Sequence, residues 1–331
     1  MTNSSCQAYP LKFRPIPQER IWGGHQLKAW FGLEHIEAPI GEYWILSGHP
    51  NATSTIINGP MSGKTLSDVV AKCPAEYLGR SPQPRFPLLI KYLEAADDLS
   101  VQVHPDDEYA LKNEGDYGKT EAWYILGCRS NGQVVYGHHF PDKSSYQLAV
   151  AHGTVEDCLG YEGIQPGQVV FVPSRTLHAL LAGTQVIEIQ QTSDVTYRVY
   201  DWNRVDTDGK GRELHVEQAG NVLDYTQDGG QCESTLVSEV VWDKDGVLCE
   251  RLVVCPYFTL ERWVLQSGQH EVHRAKAGSP DILIGVSGMG YVIWGEGEVD
   301  LGRAETVLIP TTLDAYILTV PKSLEVLRVT Y

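Results

Sequence analysis

The segment PGQVVFVPSRTLHALL, residues 166–181, indicates the fold class of this 331-residue chain. A glycine turn leads into a short apolar strand, a proline ends that strand, and a return strand carries His178. Comparable runs rich in β-branched and aromatic residues recur between glycines and prolines along the chain, among them STIIN, TQVIEIQQ, TLERWVLQ, YVIWG and TVLIP. Such punctuated runs predict a protein that consists mainly of short β-strands.

The same layout recurs near the end of the sequence. In LGRAETVLIPTTLDAYIL, residues 301–318, a glycine turn again precedes an apolar strand, a proline and a return strand, and Asp314 takes approximately the place of His178. This faint repeat predicts two jelly-roll-like β barrels of similar build, of which only the first keeps a metal. The alternative is that any two β-hairpins with a glycine turn look alike.

Two stretches have the character of helices. TLSDVVAKCPAEYLG (65–79) opens with Thr65 as a capping residue, and in PDDEYALKNEG (105–115) the proline and the acids after it suit a helix N-terminus. We therefore expect helix as a small insertion in a β framework.

A polar, glycine-bearing segment, TQDGGQCES (226–234), is the best candidate for a domain boundary, since few hydrophobic contacts could cross it. The predicted organisation is a first β domain over residues 1–225, which contains both helical stretches and the functional site. A second β domain over residues 232–331 would follow.

Charge and hydropathy exclude several classes of partner. The 42 acidic and 26 basic residues give a formal charge of −16, which would repel nucleic-acid phosphates and anionic lipid headgroups. The N-terminal segment lacks the apolar core of a signal peptide, and no segment approaches the roughly 20 apolar residues that span a bilayer. We expect a soluble cytoplasmic protein with neither a nucleic-acid nor a membrane partner.

The cysteines and several histidines suggest no site of their own. Seven cysteines, an odd number without a CxxC pair, are scattered along the chain, which fits reduced core thiols better than disulfides or a cysteine zinc site. Four histidines have polar or hairpin-like surroundings and no third ligand at a suitable spacing, so we expect them at the surface. They are His138, His139, His270 and His273.

Polar residues inside a predicted strand indicate a site. In LSVQVHPDD (99–107), Gln102 and His104 share one face of the strand, while the apolar residues between and around them take the other. Glu121 in GKTEAWYIL and His178 supply a carboxylate and a second imidazole. Two imidazoles, a carboxylate and an amide oxygen form a shell for a borderline divalent cation, with one position left for water or substrate as in catalytic zinc sites.

Each of these candidate ligands also has an ordinary alternative role. His104 could cap the following helix, Glu121 could be a surface acid on an edge strand, and His178 could be a satisfied core histidine. Together they are harder to explain, because an unpaired polar group among apolar strand residues costs roughly 1–3 kcal/mol. Something must compensate them, and a metal ion is our hypothesis.

Five segments resemble those of type I mannose-6-phosphate isomerases, the phosphomannose isomerases of the cupin superfamily. The likeness runs in order over about residues 10–225, and the shorter C-terminal part resembles the compact bacterial branch. QVHPDD followed by KTE is the specific part of the pattern, whereas IWGG alone is weak. The segments are ERIWGG (19–24), GEYWILSGHPN (41–51), FPLLIKYLEAADDLSVQVHPDD (86–107), GKTEAWYIL (118–126) and SDVTYRVYDW (193–202).

The resemblance implies two cupin barrels and a zinc-dependent aldose–ketose isomerase that interconverts mannose 6-phosphate and fructose 6-phosphate. By similarity, one Zn²⁺ per chain would be held by Gln102, His104, Glu121 and His178. The family's active site also uses two lysines and an Asp–x3–Arg pair, which correspond here to Lys91, Lys119, Asp194 and Arg198. Gly118 stands where many members have a histidine before the second lysine, so no proton-transfer role of that histidine carries over.

The implied reaction removes the proton at C2, passes through an enediol and returns a proton to C1. Zinc together with Lys119 and Arg198 would stabilise the enediolate. Arg198 with Lys91 or Lys119 would cradle the 6-phosphate, and Ser100 is a further substrate-binding candidate. The alternative for Lys91 is an edge lysine that extends beside nearby acids.

The sequence leaves two candidates for the general base, Asp194 and Glu188. In VIEIQQ, Glu188 alternates with Ile187 and Ile189 and so faces away from them, into the barrel. Its alternative role is to accept a hydrogen bond from His178 and orient that imidazole.

Two other functions compete with the isomerase. One is a cupin that binds metal and sugar phosphate without catalysis, and the other is an oxygen-using cupin with iron on a two-histidine, one-carboxylate face. Gln102 as a fourth ligand and the nearby lysines argue against the iron enzyme. For the oligomeric state, we expect a monomer.

Overall fold

A computed structural model of the chain describes residues 7–81, 83–205, 208–226, 236–274, 278–295 and 297–331. Antiparallel strands dominate these residues. In chain order the strands are β1 (Leu11–Arg14), β2 (Ile16–Gly24), β3 (Ile40–His49), β4 (Ala52–Thr53), β5 (Thr55–Ile56), β6 (Leu88–Ala95), β7 (Val101–Val103), β8 (Glu121–Gly127), β9 (Gln133–His138), β10 (Leu159–Gly163), β11 (Val169–Val172), β12 (His178–Leu180), β13 (Thr184–Gln191), β14 (Tyr197–Tyr200), β15 (Leu236–Lys244), β16 (Val247–Val254), β17 (Thr259–His273), β18 (Asp281–Trp294), β19 (Gly297–Gly302), β20 (Thr306–Ile309) and β21 (Ala315–Thr330). The α-helices are α1 (Leu66–Lys72), α2 (Pro74–Tyr77), α3 (Asp107–Asn113), α4 (Lys143–His152) and α5 (Val216–Val222).

Three sheets build the molecule. A five-stranded sheet in the order β10-β9-β12-β7-β14 faces a seven-stranded sheet in the order β11-β8-β13-β6-β3-β2, with β4 beside β3. A nine-stranded sheet, β15-β16-β17-β21-β18-β20-β1-β5 with β19 beside β18, encloses a separate apolar core. The first two sheets form one barrel and the third forms the other. The predicted mainly-β class with two barrels is therefore confirmed.

The seven-stranded sheet is the middle layer, and both of its faces are buried. Ile187 and Ile189 on β13 pack into a core that includes Ile282 of the nine-stranded sheet. Val186, on the opposite face of the same strand, packs with Leu180 of the five-stranded sheet. Because successive side chains alternate between faces, every polar residue on the inner face of this sheet is directed between the two sheets of the first barrel.

The helices lie outside the barrels. Thr65 caps α1 through a capping box, in which its hydroxyl accepts from the Asp68 amide at 3.1 Å and the Asp68 carboxylate accepts from the Thr65 amide at 3.0 Å. Asp106 caps α3. The sequence analysis did not predict α4 and α5, which pack on the outer face of the five-stranded sheet. The missed signal for α4 is Asp142, which accepts from the Ser145 amide at 2.7 Å.

Only one residue of the proposed domain boundary is among the residues that the structure describes. Of the segment 226–234, all but Thr226 lies outside the described residues, so a division there stays a prediction. The N-terminal strand β1 pairs with β20, Leu11 opposite Leu308. Residues from the beginning of the chain therefore complete the nine-stranded sheet of the second barrel.

The structure bears on two expectations, the reduced state of the cysteines and the absence of a membrane-spanning segment. Among the described cysteines, Cys128, Cys158, Cys249 and Cys255 are free thiols, whereas Cys73 is disulfide-bonded. The expectation of reduced thiols is therefore wrong at Cys73. No helix in the described ranges is long and apolar enough to cross a bilayer. The cytoplasmic location and the monomeric state stay predictions.

Candidate metal centre and substrate cavity

The strand register of the first barrel brings distant polar residues into one row. Gln102 on β7 is paired with His178 on β12 on one side and with Arg198 on β14 on the other. In the facing sheet, Glu121 begins β8 and pairs with Gln190 of β13. This row of Gln102, His178 and Arg198 therefore faces the Glu121 carboxylate across the inside of the barrel.

Three of the four predicted metal ligands form a tight, fully buried cluster. One ligand atom from each of His104, Glu121 and His178 lies within 4.8 Å of the others. His104 Nε2 is 3.5 Å from Glu121 Oε2, and His178 Nε2 is 3.4 Å from Glu121 Oε1. This is the only such cluster of histidine, cysteine and carboxylate side chains among the described residues.

Backbone carbonyls fix the orientation of both imidazoles. His104 Nδ1 lies 2.9 Å from the Val195 carbonyl oxygen, and His178 Nδ1 lies 2.9 Å from the Thr176 carbonyl oxygen. A carbonyl can only accept, so each Nδ1 carries the proton and each Nε2 has a free lone pair. Both lone pairs therefore point toward the Glu121 carboxylate, which is itself a pure acceptor when ionised.

This convergence leaves polar atoms without a hydrogen bond, although the Lys119 ammonium lies 2.9 Å from Glu121 Oε2. His104 Nε2 and both Glu121 oxygens are buried and make no hydrogen bond. A cation bound between lone pairs that face one another in a buried site would satisfy them, and two imidazoles with a carboxylate are a donor set that suits zinc. The residues present therefore fit the metal that the sequence predicts.

Gln102 lies at the edge of this cluster. Its side-chain Nε2 is 3.5 Å from His178 Nε2. Rotation of the amide by half a turn would present the oxygen instead, since the two amide orientations are sterically equivalent. The position therefore suits a fourth ligand.

The pKa shifts in the cluster have burial as their main cause. Burial lowers the pKa of His178 to about 4 and lowers the pKa of His104 well below its ordinary value. Burial also raises the pKa of Glu121 to about 7, although the ammonium of Lys119 acts in the opposite direction. Both imidazoles are therefore neutral, which is the form that coordinates a metal. The raised pKa of Glu121 shows that the positive charge of Lys119 does not offset the cost of burying the carboxylate.

A cavity of about 330 Å³ lies beside the cluster. All seven of the other predicted site residues line it: Lys91, Ser100, Gln102, Lys119, Glu188, Asp194 and Arg198. Lys119 joins the two regions, because its Nζ is 2.9 Å from Glu121 Oε2 while its side chain also lines the cavity.

Lys91 is held between two carboxylates on the cavity wall. Its Nζ is 3.4 Å from Glu42 and 3.2 Å from Glu188, and it lies 5.2 Å from the centre of the Trp44 ring. Burial alone would lower the pKa of Lys91, but the two carboxylates outweigh it and raise the pKa. The alternative of an extended edge lysine is wrong, since only 5% of Lys91 is exposed.

The two candidate bases have different environments. Glu188 is buried, accepts from Trp123 Nε1 at 3.2 Å, and has its Oε2 directed at Lys91 without an aligned hydrogen bond. Asp194 is exposed at the rim, where Asn51 Nδ2 donates to it at 3.2 Å. The alternative role of Glu188 as the residue that orients His178 is wrong, because the Thr176 carbonyl takes that hydrogen bond.

Sequence reasoning missed several residues of the cavity and misplaced one histidine. His138, expected at the surface, is 4% exposed and packs beside Phe140 and Tyr225. The signal for the missed residues on β2 and β3 was present, since ERIWGG and GEYWILSGHPN are two of the segments that carry the family resemblance. The missed polar and aromatic residues that line the cavity are Arg20, Trp22, Glu42, Trp123, Thr196 and Arg212.

The chain resembles known proteins in sequence and in fold. Residues 11–124 match the family model described as phosphomannose isomerase type I, catalytic domain. The chain is 35% identical over 310 residues to the mannose-6-phosphate isomerase of Streptococcus mutans, a match that covers 93% of this chain and 95% of that protein.

Solved structures show the same likeness in three dimensions. The crystal structure of the mannose 6-phosphate isomerase from Bacillus subtilis matches with a TM-score of 0.87 and 35% identity, over 98% of this chain and 100% of the other. A zinc-bound mannose 6-phosphate isomerase, 16% identical, shares the fold with a TM-score of 0.75 over 98% of this chain and 99% of the other.

Proposed function

This chain belongs to the type I mannose-6-phosphate isomerases, and we propose that it interconverts D-mannose 6-phosphate and D-fructose 6-phosphate as a zinc-dependent enzyme through an enediol. The observation that carries the proposal is the convergence of the His104, His178 and Glu121 lone pairs beside a cavity lined with lysine and arginine. This arrangement offers a cation site at one end and electrostatic stabilisation of an anion next to it.

One zinc ion per chain would be held by His104, Glu121 and His178, with Gln102 as the fourth ligand. When bound, zinc would supply Lewis-acid stabilisation of negative charge on the substrate oxygens. The protein's contribution is to present two neutral imidazoles in a fixed tautomer, each set by a backbone carbonyl.

The proton transfers fall to residues of the cavity wall. In the direction from mannose 6-phosphate, the C2–H bond breaks and its proton passes to a carboxylate, while the electron pair forms the C1–C2 double bond and the π electrons of the C1 carbonyl move to O1. The proton then returns to C1, while the O2 hydroxyl proton moves to O1, so that an aldehyde becomes a ketone. We assign the carboxylate role to Glu188, because it is buried in the cavity and its Oε2 makes no hydrogen bond.

Positive charge next to this carboxylate would stabilise the developing oxyanion. Lys119 contacts Glu121 and lines the cavity, so its ammonium lies between the metal ligands and the substrate space. Such fixed charges in a water-poor site provide a large part of the rate gain in enzymes. Asp194 at the exposed rim would contact substrate rather than accept the C2 proton.

A coupled assay tests the proposal directly. Purified protein loaded with zinc should convert mannose 6-phosphate to fructose 6-phosphate, and a chelator should abolish turnover that added zinc then restores. Fully metal-loaded protein that binds sugar phosphate without turnover would overturn the isomerase assignment in favour of a binding protein. Turnover that a chelator does not affect would overturn the metal requirement.

A further inference from the structure

We propose that Asp107 and Gln191 are positioning residues, which hold the segment 118–120 so that the Lys119 ammonium stays at the junction of the metal cluster and the cavity. The inference rests on the proposed isomerase function, in which Lys119 stabilises the developing oxyanion. It also gives a role to the second acid of the QVHPDD motif, Asp107, which belongs neither to the metal cluster nor to the cavity wall.

The segment 118–120 is buried but belongs to no strand. Strand β8 begins only at Glu121, which is paired with Val172 of β11 and with Gln190 of β13. The sheet therefore holds the metal ligand, whereas the residues directly before it need other partners for their backbone N–H groups. Because a buried N–H group without a partner is costly, these partners decide where Lys119 lies.

Three consecutive N–H groups of the segment have hydrogen-bond acceptors. The Gly118 amide donates to Asp107 Oδ1 at 2.8 Å, and the Lys119 amide donates to a backbone carbonyl at 3.0 Å. The Thr120 amide donates to Gln191 Oε1 at 2.8 Å. The backbone is therefore held by a side chain on each side of Lys119.

Asp107 and Gln191 also bind each other. Gln191 Nε2 donates to Asp107 Oδ1 at 3.0 Å, so this one oxygen accepts both from Gln191 and from the Gly118 amide. Gln191 is 1% exposed and ends β13, while Asp107 begins α3. The two side chains thus form a bridge from α3 to β13 across the segment, which we call the 107–191 clamp.

The absence of a side chain at position 118 allows the segment to approach α3 closely. A Cβ atom at Gly118 would lie 2.5 Å from the carbonyl carbon of Asp106 and 2.5 Å from the backbone nitrogen of Asp107. Because backbone atoms cannot give way as a flexible side chain can, the segment would have to move away from α3. A histidine at this position, as in many members of the family, would therefore displace Lys119 in this chain.

The second barrel contacts the same carboxylate. Tyr257 lies between β16 and β17, and its pKa is raised to about 12, first by burial and then by the negative charge of Asp107 and a hydrogen bond to it. Asp107 thus connects the second barrel with the segment that carries Lys119. The second barrel therefore supports the 107–191 clamp from outside the first barrel.

Two neighbouring aspartates at the start of α3 provide a matched test. Asp107→Ala should lower kcat for mannose 6-phosphate roughly 10- to 100-fold, because a shift of about 1 Å misplaces the Lys119 charge in the transition state. KM should stay within roughly 3-fold, and Asp107→Asn should restore most of kcat, since its amide oxygen still accepts both hydrogen bonds. Asp106→Ala removes the cap of α3 instead, so it should lower the Tm but keep kcat within roughly 2-fold.

Gln191→Leu tests the other side of the clamp. It should lower kcat by a similar factor and leave bound zinc unchanged, because the backbone pairing of Glu121 does not use the Gln191 side chain. In a Lys119→Met background, Gln191→Leu should cause a further loss of less than roughly 2-fold, since residues that act through one another are not additive. An equal loss in both backgrounds, or a loss of zinc, would overturn the positioning role.

Gly118 provides a third comparison. Gly118→Ala and Gly118→His should each lower kcat by more than roughly 10-fold, because the added atoms displace the segment. Gly163→Ala is the matched change, at a glycine whose added Cβ meets no atom within 4 Å, and should keep kcat within roughly 2-fold. Full activity of Gly118→His would overturn the clamp.

Hydrogen exchange provides a readout that does not depend on turnover. The amides of Gly118 and Thr120 should be protected in the zinc-loaded wild type and should exchange at least roughly 10-fold faster in Gln191→Leu, while the amides of β8 keep their protection. If Gln191→Leu fails to fold, Asp107→Ala carries the comparison, because Asp107 is only partly buried.

The outcomes separate this inference from the proposed function. Unchanged exchange and unchanged kcat in Gln191→Leu and Asp107→Ala would overturn the clamp even if the wild type is a good isomerase. Absence of turnover in the wild type would overturn the isomerase, while hydrogen exchange would still test whether the clamp holds the segment.

Discussion

Glu121 in the first barrel and Asp281 in the second are both fully buried carboxylates, yet their surroundings differ. Asp281 accepts from Arg328 through both of its oxygens, at 3.0 and 3.1 Å, and lies 3.2 Å from Arg274 Nε. Tyr316 adds a hydroxyl contact at 3.3 Å. Glu121 has one ammonium nearby and two imidazole lone pairs directed at it, and neither of its oxygens makes a hydrogen bond.

The comparison separates two reasons to bury a charge. In the second barrel each oxygen of Asp281 has a guanidinium or hydroxyl partner from the protein itself, so the network is self-sufficient and holds strands β18 and β21 together. In the first barrel the acceptors outnumber the donors even with the Lys119 ammonium beside Glu121, and a cation bound between them would remove the deficit. A buried charged cluster is thus self-sufficient where the protein supplies a donor for every acceptor, and it is a candidate binding site where acceptors are left over.

The largest effect is expected from the removal of one imidazole from the first barrel, which tests whether the unpaired acceptors there bind a metal. We expect His104→Ala, and separately His178→Ala, to lose bound metal and isomerase activity together, by more than about 100-fold, which exceeds the usual cost of changing a group outside the ligand shell. Metal analysis beside the coupled assay measures both quantities.

The thermal stability of the same variants provides the control. Zinc should raise the Tm of the wild type, because a ligand that binds only the folded state stabilises it, and should leave the Tm of His104→Ala unchanged. Retention of stoichiometric zinc in a variant that lacks both histidines would refute the ligand assignment.

The next largest effect should come from the proposed proton acceptor. Glu188→Gln keeps the shape and the contact to Trp123 but removes the basic oxygen, so kcat should fall by roughly 10²- to 10⁴-fold, the usual contribution of a general base. Bound zinc should be retained, because Glu188 is not in the ligand cluster. Asp194→Asn serves as the matched change at the rim and should lower kcat by less than about 10-fold. The reverse order of the two effects would assign the base to Asp194.

Asp281→Ala examines the self-sufficient network in the second barrel. It leaves Arg328 and Arg274 without their shared carboxylate, and breaking a buried ion pair from one side costs about 3–5 kcal/mol in the free energy of unfolding. Chemical denaturation measures this loss. Zinc content and KM of the protein that remains folded should match the wild type, because the change lies in the other barrel. A parallel loss of zinc would show that the two interiors are coupled.

The residues recovered from sequence alone share one property. Gln102, Glu121 and Glu188 lie on strands and His104 directly follows one, so the two-residue period says which side chains share a face. The metal chemistry of Gln102, His104 and Glu121 follows from residue type, and the family resemblance supplied Lys91, Lys119, Asp194 and Arg198. Each of these eight residues lies in the cluster or lines the cavity in the structure.

The residues missed from sequence depend on tertiary partners. Arg212 is held at the cavity wall by its hydrogen bond to Asp201. The role of Lys91 depends on its ion pair with Glu42, which lies on a strand almost fifty residues earlier in the sequence. The spacing of residues along the sequence does not reveal such long-range ion pairs. Helix α4 was missed for a different reason: its apolar residues pack on the outer face of the five-stranded sheet, a surface that strand patterns alone do not reveal.

The smallest effect should come from the exposed margin of the second network. Arg251 lies 3.1 Å from Glu239 and 3.4 Å from Glu261, and its side chain is 33% exposed. Arg251→Gln should change the free energy of unfolding by less than about 1 kcal/mol, because solvent screens such pairs. The change should shrink further at high salt, as measured by denaturation at two ionic strengths. Because Glu261 also accepts from Arg328 at 3.0 Å, the network keeps its inner contact when the outer one is lost. A loss as large as that of Asp281→Ala would mean that the network depends on its exposed end, and that the second barrel is not self-sufficient in its interior.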